Sequence, residues 1–174
     1  GVDWPWRRQQ RWLQAIADSA DTINSSDTGK KVHLLQFGGD YPKIVQQPNG
    51  ELDLPQLKDA VYRLEMTSYQ DYTQFLGQNA HIGVELADEN VERYFSQSFR
   101  ATDYLRHGLP MICNRYLAQA DLIKEYDAGW VIDDPAEIPD LLSRITQDQN
   151  SWQQKSTNAQ RLAQERFNTP VYAP

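Results

Sequence analysis

The chain reads as an α/β fold with a mostly parallel sheet, because short apolar runs of strand character alternate along it with helical stretches. The sharpest alternation is SFRATDYLRHGLPMICNR, residues 98–115, which places a helix start, a helix stop and a buried strand behind a long polar loop. Ser96 or Ser98 can cap the helix, and Phe99, Thr102 and Leu105 lie along one helical stripe. Gly108 supplies a left-handed stop, and Pro110 prevents continuation before the apolar MIC. Ahead of this segment, IGVEL at 82–86 has strand character, and the loop ADENVERYFSQ at 87–97 is too long for a simple connector. Such a strand, loop, helix, strand unit points helix amides back at the loop. That geometry receives anionic ligands at the carboxyl edge of a parallel sheet.

The remaining elements follow in order. Pro5 opens a helix whose inner stripe is Trp12, Ile16, Ala20 and Ile23, and NSSDTG ends it. VHLLQF, Val32 to Phe37, is the first clear strand and runs into Gly38 and Gly39. LDLPQLKD, residues 52–59, is read as a weak helical turn, and VYRLE, residues 61–65, as a short strand. Ser68 caps a helix with Tyr69, Tyr72, Phe75 and Leu76 facing inward. Beyond MICNR, a helix around Asp121 to Tyr126 closes at Ala128 and Gly129, and the strand WVI follows. Asp134 and Pro135 form a cap and first-turn pair for a helix with Ile138, Leu141, Leu142 and Ile145 on one face. Ser151 caps the last helix, which carries Trp152, Ala159 and Leu162 and ends near Phe167. No internal repeat or low-complexity linker appears, so residues 1–174 form a single expected domain.

Composition narrows the function classes. A chain of 174 residues, 40% hydrophobic and 11% aromatic, can bury one core without disulfides or metals. A net charge of -7 leaves no basic stripe for phosphates, which argues against a nucleic-acid partner. The single cysteine, Cys113, sits in an apolar strand and has no internal disulfide partner, which points to a reducing, cytoplasmic compartment and a buried small side chain. No apolar run approaches the roughly 20 residues of a membrane span, and no signal peptide is visible. The abrupt ends, GVDWPW and NTPVYAP, read as those of a fragment of a larger protein. His33, His81 and His107 show no metal-ligand spacing, and neither a Ser, His, Asp constellation nor a phosphate P-loop is present, so no metal or cofactor is expected.

One order of features is more specific. A strand, a Glu-bearing loop, a helix ending in GLPMI, a strand, a short helix ending in DAGW and the segment DDPAEIPDLLSRI follow one another. In this order the chain resembles, over essentially its whole length, the carboxyl-terminal, nucleotide-sugar-binding half of GT-B-fold retaining glycosyltransferases. TDYLRHGLPMI carries the strongest match, an acid, a short helix, Gly-x-Pro and an apolar strand, and YDAGWVIDDPAEI the next. The resemblance implies a Rossmann-like three-layer sandwich, one half of a GT-B architecture, with an acceptor-binding amino-terminal half outside this chain. It also implies a nucleotide-diphosphate sugar, of UDP or GDP type, as donor to an unidentified acceptor.

The same resemblance assigns residues. The family uses two acids in this loop and helix, one for sugar hydroxyls and one for the ribose of the nucleotide. Aligned on GLPMI, the second acid falls on Asp103, whereas Phe95 stands where the first belongs. Glu92 or Glu89 would then take that role from a shifted loop, or the role is missing. Asp is a methylene shorter than Glu, so Asp103 reaches ribose by closer docking or through water. A basic residue near the start of the first helix meets the diphosphate, which implies Arg7, with Arg8 and Arg11 close by. Basic residues in a first turn oppose the helix dipole unless an anion neutralises them. Arg100, in the first turn of the helix after the long loop, is the other candidate. Gly38 and Gly39 allow close backbone approach, the corner Met66, Thr67, Ser68, Tyr69 is similar to the place where the family holds the base, and Ser98 belongs to the binding helix start. Arg7 and Arg100 would stabilise charge on the leaving diphosphate while Glu92 and Asp103 orient sugar and ribose. A non-catalytic nucleotide- or sugar-binding or interaction module of the same fold is the alternative, and Phe95 at the first acid position favours it.

Overall fold

The computed structural model describes residues 8–27, 29–37, 45–46, 52–53, 56–58, 61–64 and 68–168. Helix α1 covers Gln10–Ser25, later than the start expected at Pro5, because Arg8 adopts a φ of 43° that no α-helix continues. Its Trp12, Ile16 and Ala20 are buried, as their spacing requires. Strands β1 (Leu34–Phe37), β2 (Val45–Gln46), β3 (Leu52–Asp53), β4 (Gln56–Lys58) and β5 (Val61–Leu64) follow. β1 and β5 run parallel, with Leu34 opposite Val61, and β4 returns antiparallel on β5. β2 and β3 form a separate antiparallel pair. Within LDLPQLKD the described residues, 52–53 and 56–58, are strand and not the expected helical turn. Leu54 precedes Pro55, which disfavours the helical region, and the pairing of β4 with β5 supplies hydrogen bonds that one helical turn lacks.

Helix α2 (Tyr69–Asn79) is capped by the Ser68 hydroxyl, which accepts from the Asp71 amide at 3.2 Å. Then come β6 (Gly83–Glu85), α3 (Val91–Phe95), α4 (Phe99–Arg106), β7 (Met111–Asn114), α5 (Ala120–Glu125), β8 (Gly129–Ile132), α6 (Ile138–Gln147) and α7 (Gln149–Arg166). β6, β7 and β8 form an all-parallel sheet with β7 in the centre. On one face, Trp12 and Ile16 of α1 pack with Leu34, Ile112, Ile132 and, from α6, Ile138, Leu141 and Leu142. On the other, Met111 and Cys113 pack with Leu105 of α4, Ile123 of α5 and Leu162 of α7. The result is a three-layer α/β/α sandwich in which β7 is buried on both faces, the usual state of a central parallel strand.

Several local readings change. Of the stripe Phe99, Thr102 and Leu105, the last two are buried, but Ser98 caps α4, so Phe99 begins the helix facing solvent at 85% exposure and Ala101 joins the inner stripe. Tyr69 likewise lies outward at 66% exposure, leaving Leu76 as the buried residue of α2. Part of the long loop is helical, because Asn90 accepts from the Arg93 amide and starts α3. Asp148, not Ser151, caps α7: its carboxylate accepts from the Ser151 amide at 2.9 Å. Asp134 and Glu137 close a reciprocal capping box over the 3-10 turn Pro135–Glu137 that leads into α6. The turn after α5 uses Asp127 at φ 53°, which frees Gly129 for a different task. A Cβ on Gly129 would lie 2.2 Å from the Met111 carbonyl oxygen, so the strand spacing itself excludes a side chain there.

Two glycine substitutions should therefore move stability in opposite directions. Gly129→Ala forces backbone against backbone and is expected to lower the unfolding free energy by about 3 kcal/mol or more. Gly77→Ala lies on the exposed side of the last turn of α2, where the new methyl meets His107 at an ordinary 3.4 Å, and should raise it by roughly 0.5–1 kcal/mol. Urea unfolding read from the midpoint at constant slope separates them, and two shifts of the same sign would contradict this account.

Candidate functional site

The carboxyl ends of β6, β7 and β8 carry a cluster of buried polar side chains. Glu85, the last residue of β6, is 4% exposed, so its charge must be matched locally. Arg93 comes from α3 and donates Nη1 to Glu85 Oε1 at 3.3 Å and Nη2 to the Glu85 carbonyl at 2.9 Å. Arg100 comes from the first turn of α4 and donates Nε to Oε2 at 3.1 Å and Nη2 to Oε1 at 2.9 Å. One carboxylate therefore holds two guanidiniums. Arg93 is buried and lies over the Tyr116 ring, with 5.8 Å to the centroid, whereas Arg100 is half-exposed. Burial works against the Arg100 charge, but the Glu85 carboxylate together with Tyr104 and Tyr72 more than offsets it, and the guanidinium pKa lies above its ordinary value.

Beside this network, α4 contributes Asp103 and Tyr104 while α2 contributes Tyr69 and Tyr72. Gly83 leaves the space on β6 that the Tyr104 ring fills. The Tyr69 hydroxyl donates to Asp103 Oδ1 at 2.9 Å, and this bond is the main cause of its raised pKa. Asp103 itself is buried. Tyr72 is raised further, first by burial and then by Tyr104 and Asp103, with Arg100 acting in the opposite sense.

Three buried hydrogen-bonding side chains hold the loops around the cluster. Asn114 accepts from the Ala87 amide at 2.9 Å and donates to the Ile132 carbonyl at 3.3 Å. Tyr116 donates to the Ala87 carbonyl. Gln119 spans the start of α4, donating to the Ser98 carbonyl at 2.9 Å and accepting from its amide at 3.3 Å.

Of the residues expected at the site, the structure brings Arg100, Asp103, Tyr69 and Ser98 to this edge. Ser98 is occupied by capping α4 and by Gln119. Glu92 is exposed in the first turn of α3, where the helix dipole favours an acid, and Glu89 accepts from the Tyr94 hydroxyl at 2.6 Å. Arg8 gives its carbonyl to the Asp88 amide, and Arg11 and Trp12 both bind Asp88 Oδ1, at 2.5 and 3.1 Å. The start of α1 is thus anchored to the loop after β6. Arg7, Gly38, Gly39 and Thr67 lie outside the described residues. Sequence reading missed Glu85 and Arg93, although a lone carboxylate between Val84 and Leu86 in an apolar strand signals a buried cationic partner. Among the described residues, no helix is long and apolar enough to cross a membrane.

Residues 85–170, which include the whole of this edge from Glu85 onward, match the family model of the Glucosyltransferase 3-like, C-terminal domain. The fold is similar to the crystal structure of WaaG, a glycosyltransferase involved in lipopolysaccharide biosynthesis, with a TM-score of 0.66 at 14% identity. That likeness covers 95% of this chain and 42% of the WaaG chain, so this chain spans less than half of that protein. No curated protein sequence matches significantly. The architecture is one half of a GT-B fold, and the family match and the fold together support a carboxyl-terminal domain of glycosyltransferase type.

Burial in this region has a consequence at alkaline pH. Cys113 and Tyr116 are both pushed up to about 12, mainly by burial, from ordinary values of 9.0 and 10.0. The unfolded chain releases these protons first, so the stability they contribute is complete below about pH 9 and is lost as the pH rises toward 12. Urea midpoints should fall between about pH 9 and pH 11, with phenolate absorbance appearing together with unfolding. A midpoint constant over that range would show that these groups ionise without penalty in the folded chain.

Proposed function

We propose that this chain is the donor-binding half of a retaining glycosyltransferase and takes a nucleotide-diphosphate sugar of UDP or GDP type at the carboxyl edge of the β6, β7, β8 sheet. The observation that carries this reading is the Arg100 guanidinium. Its Nε and Nη2 are held by Glu85, and among the described residues its Nη1 takes no hydrogen-bond partner. A half-exposed cation with one unused edge, at the start of a helix with no acid in its first turn, suits a diphosphate. Asp103, nearly one helical turn on, takes ribose hydroxyls, and the exposed Tyr69 ring bonded to it offers a stacking face for the base. Arg7 joins Arg100 at the diphosphate, Gly38, Gly39 and Thr67 supply the backbone cradle, and Ser98 fixes the start of the helix beside it. An amino-terminal acceptor half closes the cleft, as the 42% coverage of the WaaG chain suggests.

In this reading the bond between the anomeric carbon and the diphosphate breaks while an acceptor hydroxyl attacks that carbon and passes its proton to the departing phosphate oxygen. The charge growing on the departing phosphate oxygen is stabilised by Arg100 and Arg7, whose geometry is set before reaction. Glu92 orients the sugar. The free buried Cys113 suits a reducing, cytoplasmic setting. A non-catalytic binding module of the same fold is the second reading, and it is favoured by Phe95, 85% exposed at the position of the family's first acid.

Calorimetric titration with UDP, GDP and the nucleosides tests the proposal. Arg100→Ala should weaken diphosphate binding by about 1.5–3 kcal/mol and leave uridine or guanosine binding nearly unchanged. Asp103→Asn should weaken nucleotide and nucleoside alike by about 1 kcal/mol or more. Absence of UDP and GDP binding at millimolar concentration would overturn the donor-site reading. Enzyme and binding module are separated in the protein joined to its acceptor half. There Glu92→Gln should depress transfer strongly at unaltered UDP affinity, whereas unaltered turnover would remove Glu92 from the mechanism.

A further inference from the structure

We propose that Glu85 is a positioning residue for donor binding: it locks one edge of the Arg100 guanidinium so that the opposite edge is presented to the diphosphate. This rests on the donor-site reading above and names a residue that the reading does not require. Glu85 ends a strand and is buried, so its carboxylate is fixed by the sheet. Both of its oxygens are used, and Arg100 is bound in the two-point manner that fixes the plane of a guanidinium as well as its distance.

Arg93 completes the device. It shares Oε1 of the same carboxylate and also binds the Glu85 carbonyl, and it is buried. Its Nε has no partner among the described residues. Two guanidiniums facing one carboxylate leave one formal positive charge in excess. Arg93 is enclosed, so that excess meets solvent through Arg100. A long, rotamer-rich side chain released from Glu85 would extend into water and lose this alignment. A simple ion-pair staple between β6 and α4 predicts something different: lost stability, with no preference among ligands.

The test is a double-substitution cycle read by UDP and uridine binding, with melting temperatures recorded for each variant. Glu85→Gln should lower UDP affinity about tenfold while changing uridine affinity less than about twofold. In an Arg100→Ala background the same Glu85→Gln change should alter UDP affinity less than about twofold, because the residue it positions is gone. Equal weakening of UDP and uridine, or a tenfold UDP loss in both backgrounds, would overturn the proposal. If Glu85→Gln does not fold, Glu85→Asp keeps the charge but withdraws it by one methylene. A fall in the UDP to uridine affinity ratio then supports positioning, and an unchanged ratio overturns it. If the unaltered chain binds neither UDP nor GDP, the donor-site reading fails and this inference with it; if it binds GDP alone, the same cycle is read with GDP and guanosine. Unaltered ratios in the Glu85 variants of a chain that binds UDP overturn this inference alone.

Discussion

Strand β7 has no face that meets water, and this double burial organises the rest of the chain. Met111 and Cys113 point into one helical layer and Ile112 into the other, so helices must cover both sides of the sheet. At the end of the strand the apolar run gives way to Asn114, whose fully buried amide must find partners of its own. It finds them in the chains leaving β6 and β8. The strand that builds the core therefore also fixes the loops at the carboxyl edge. Tyr116 and the Arg11, Trp12 grip on Asp88 add to that fixation from either side.

The charges at that edge need a separate explanation. A carboxylate and guanidiniums removed from water lose hydration that their attraction seldom more than repays, and an apolar replacement of equal volume often does as well or better for stability. Glu85 and Arg93 are both buried, yet the sequence retains them at the end of an otherwise apolar strand and in the middle of a short helix. The network is better explained by what it presents at the surface than by what it adds to the fold. It places a guanidinium of defined orientation beside the buried Asp103 carboxylate and its Tyr69 partner. A flexible surface arginine could not offer that arrangement.

Much of the fold was legible because its signals are local. The caps at Ser68, Ser98 and Asp134, the Gly108 stop at φ 70° and the inner stripes of α1 and α6 are each decided within a few residues. The misreadings arose where pairing partners lie elsewhere. β4 exists because it lies against β5, and Gly129 is a glycine because the neighbouring strand approaches it, not because a helix ends there. Asp148 displaced Ser151 as a cap because the start of α7 follows α6 almost directly, leaving one residue for the turn. At the site, Asp103 follows from counting back from GLPMI and Arg100 from its place in the first turn of α4, and both lie at this edge. Glu85 could not be assigned a role, since its partners arrive from α3 and α4, eight and fifteen residues away.

The balance of global and local charge decides whether an anion could settle at this edge. A chain of net charge -7 repels a diphosphate at a distance. At physiological ionic strength that repulsion is screened over about 8 Å, so acids on remote helices contribute little once the ligand is close. A guanidinium at about 4 Å, near the surface where the effective dielectric constant is about 20, contributes on the order of 4 kcal/mol before desolvation. The amides opening α4 act in the same direction, because its first turn contains no acid, unlike those of α2 and α6, which carry Asp71 and Asp140. Arg100 in that turn is unfavourable to the empty helix and becomes favourable only when an anion lies between the guanidinium and the amides. The Glu85 carboxylate partly relieves that conflict without occupying the remaining edge of the guanidinium. An acidic net charge is therefore compatible with an anion site at this edge, because a close ligand would meet the local field of the Arg100 guanidinium and the α4 amides before that of remote acids.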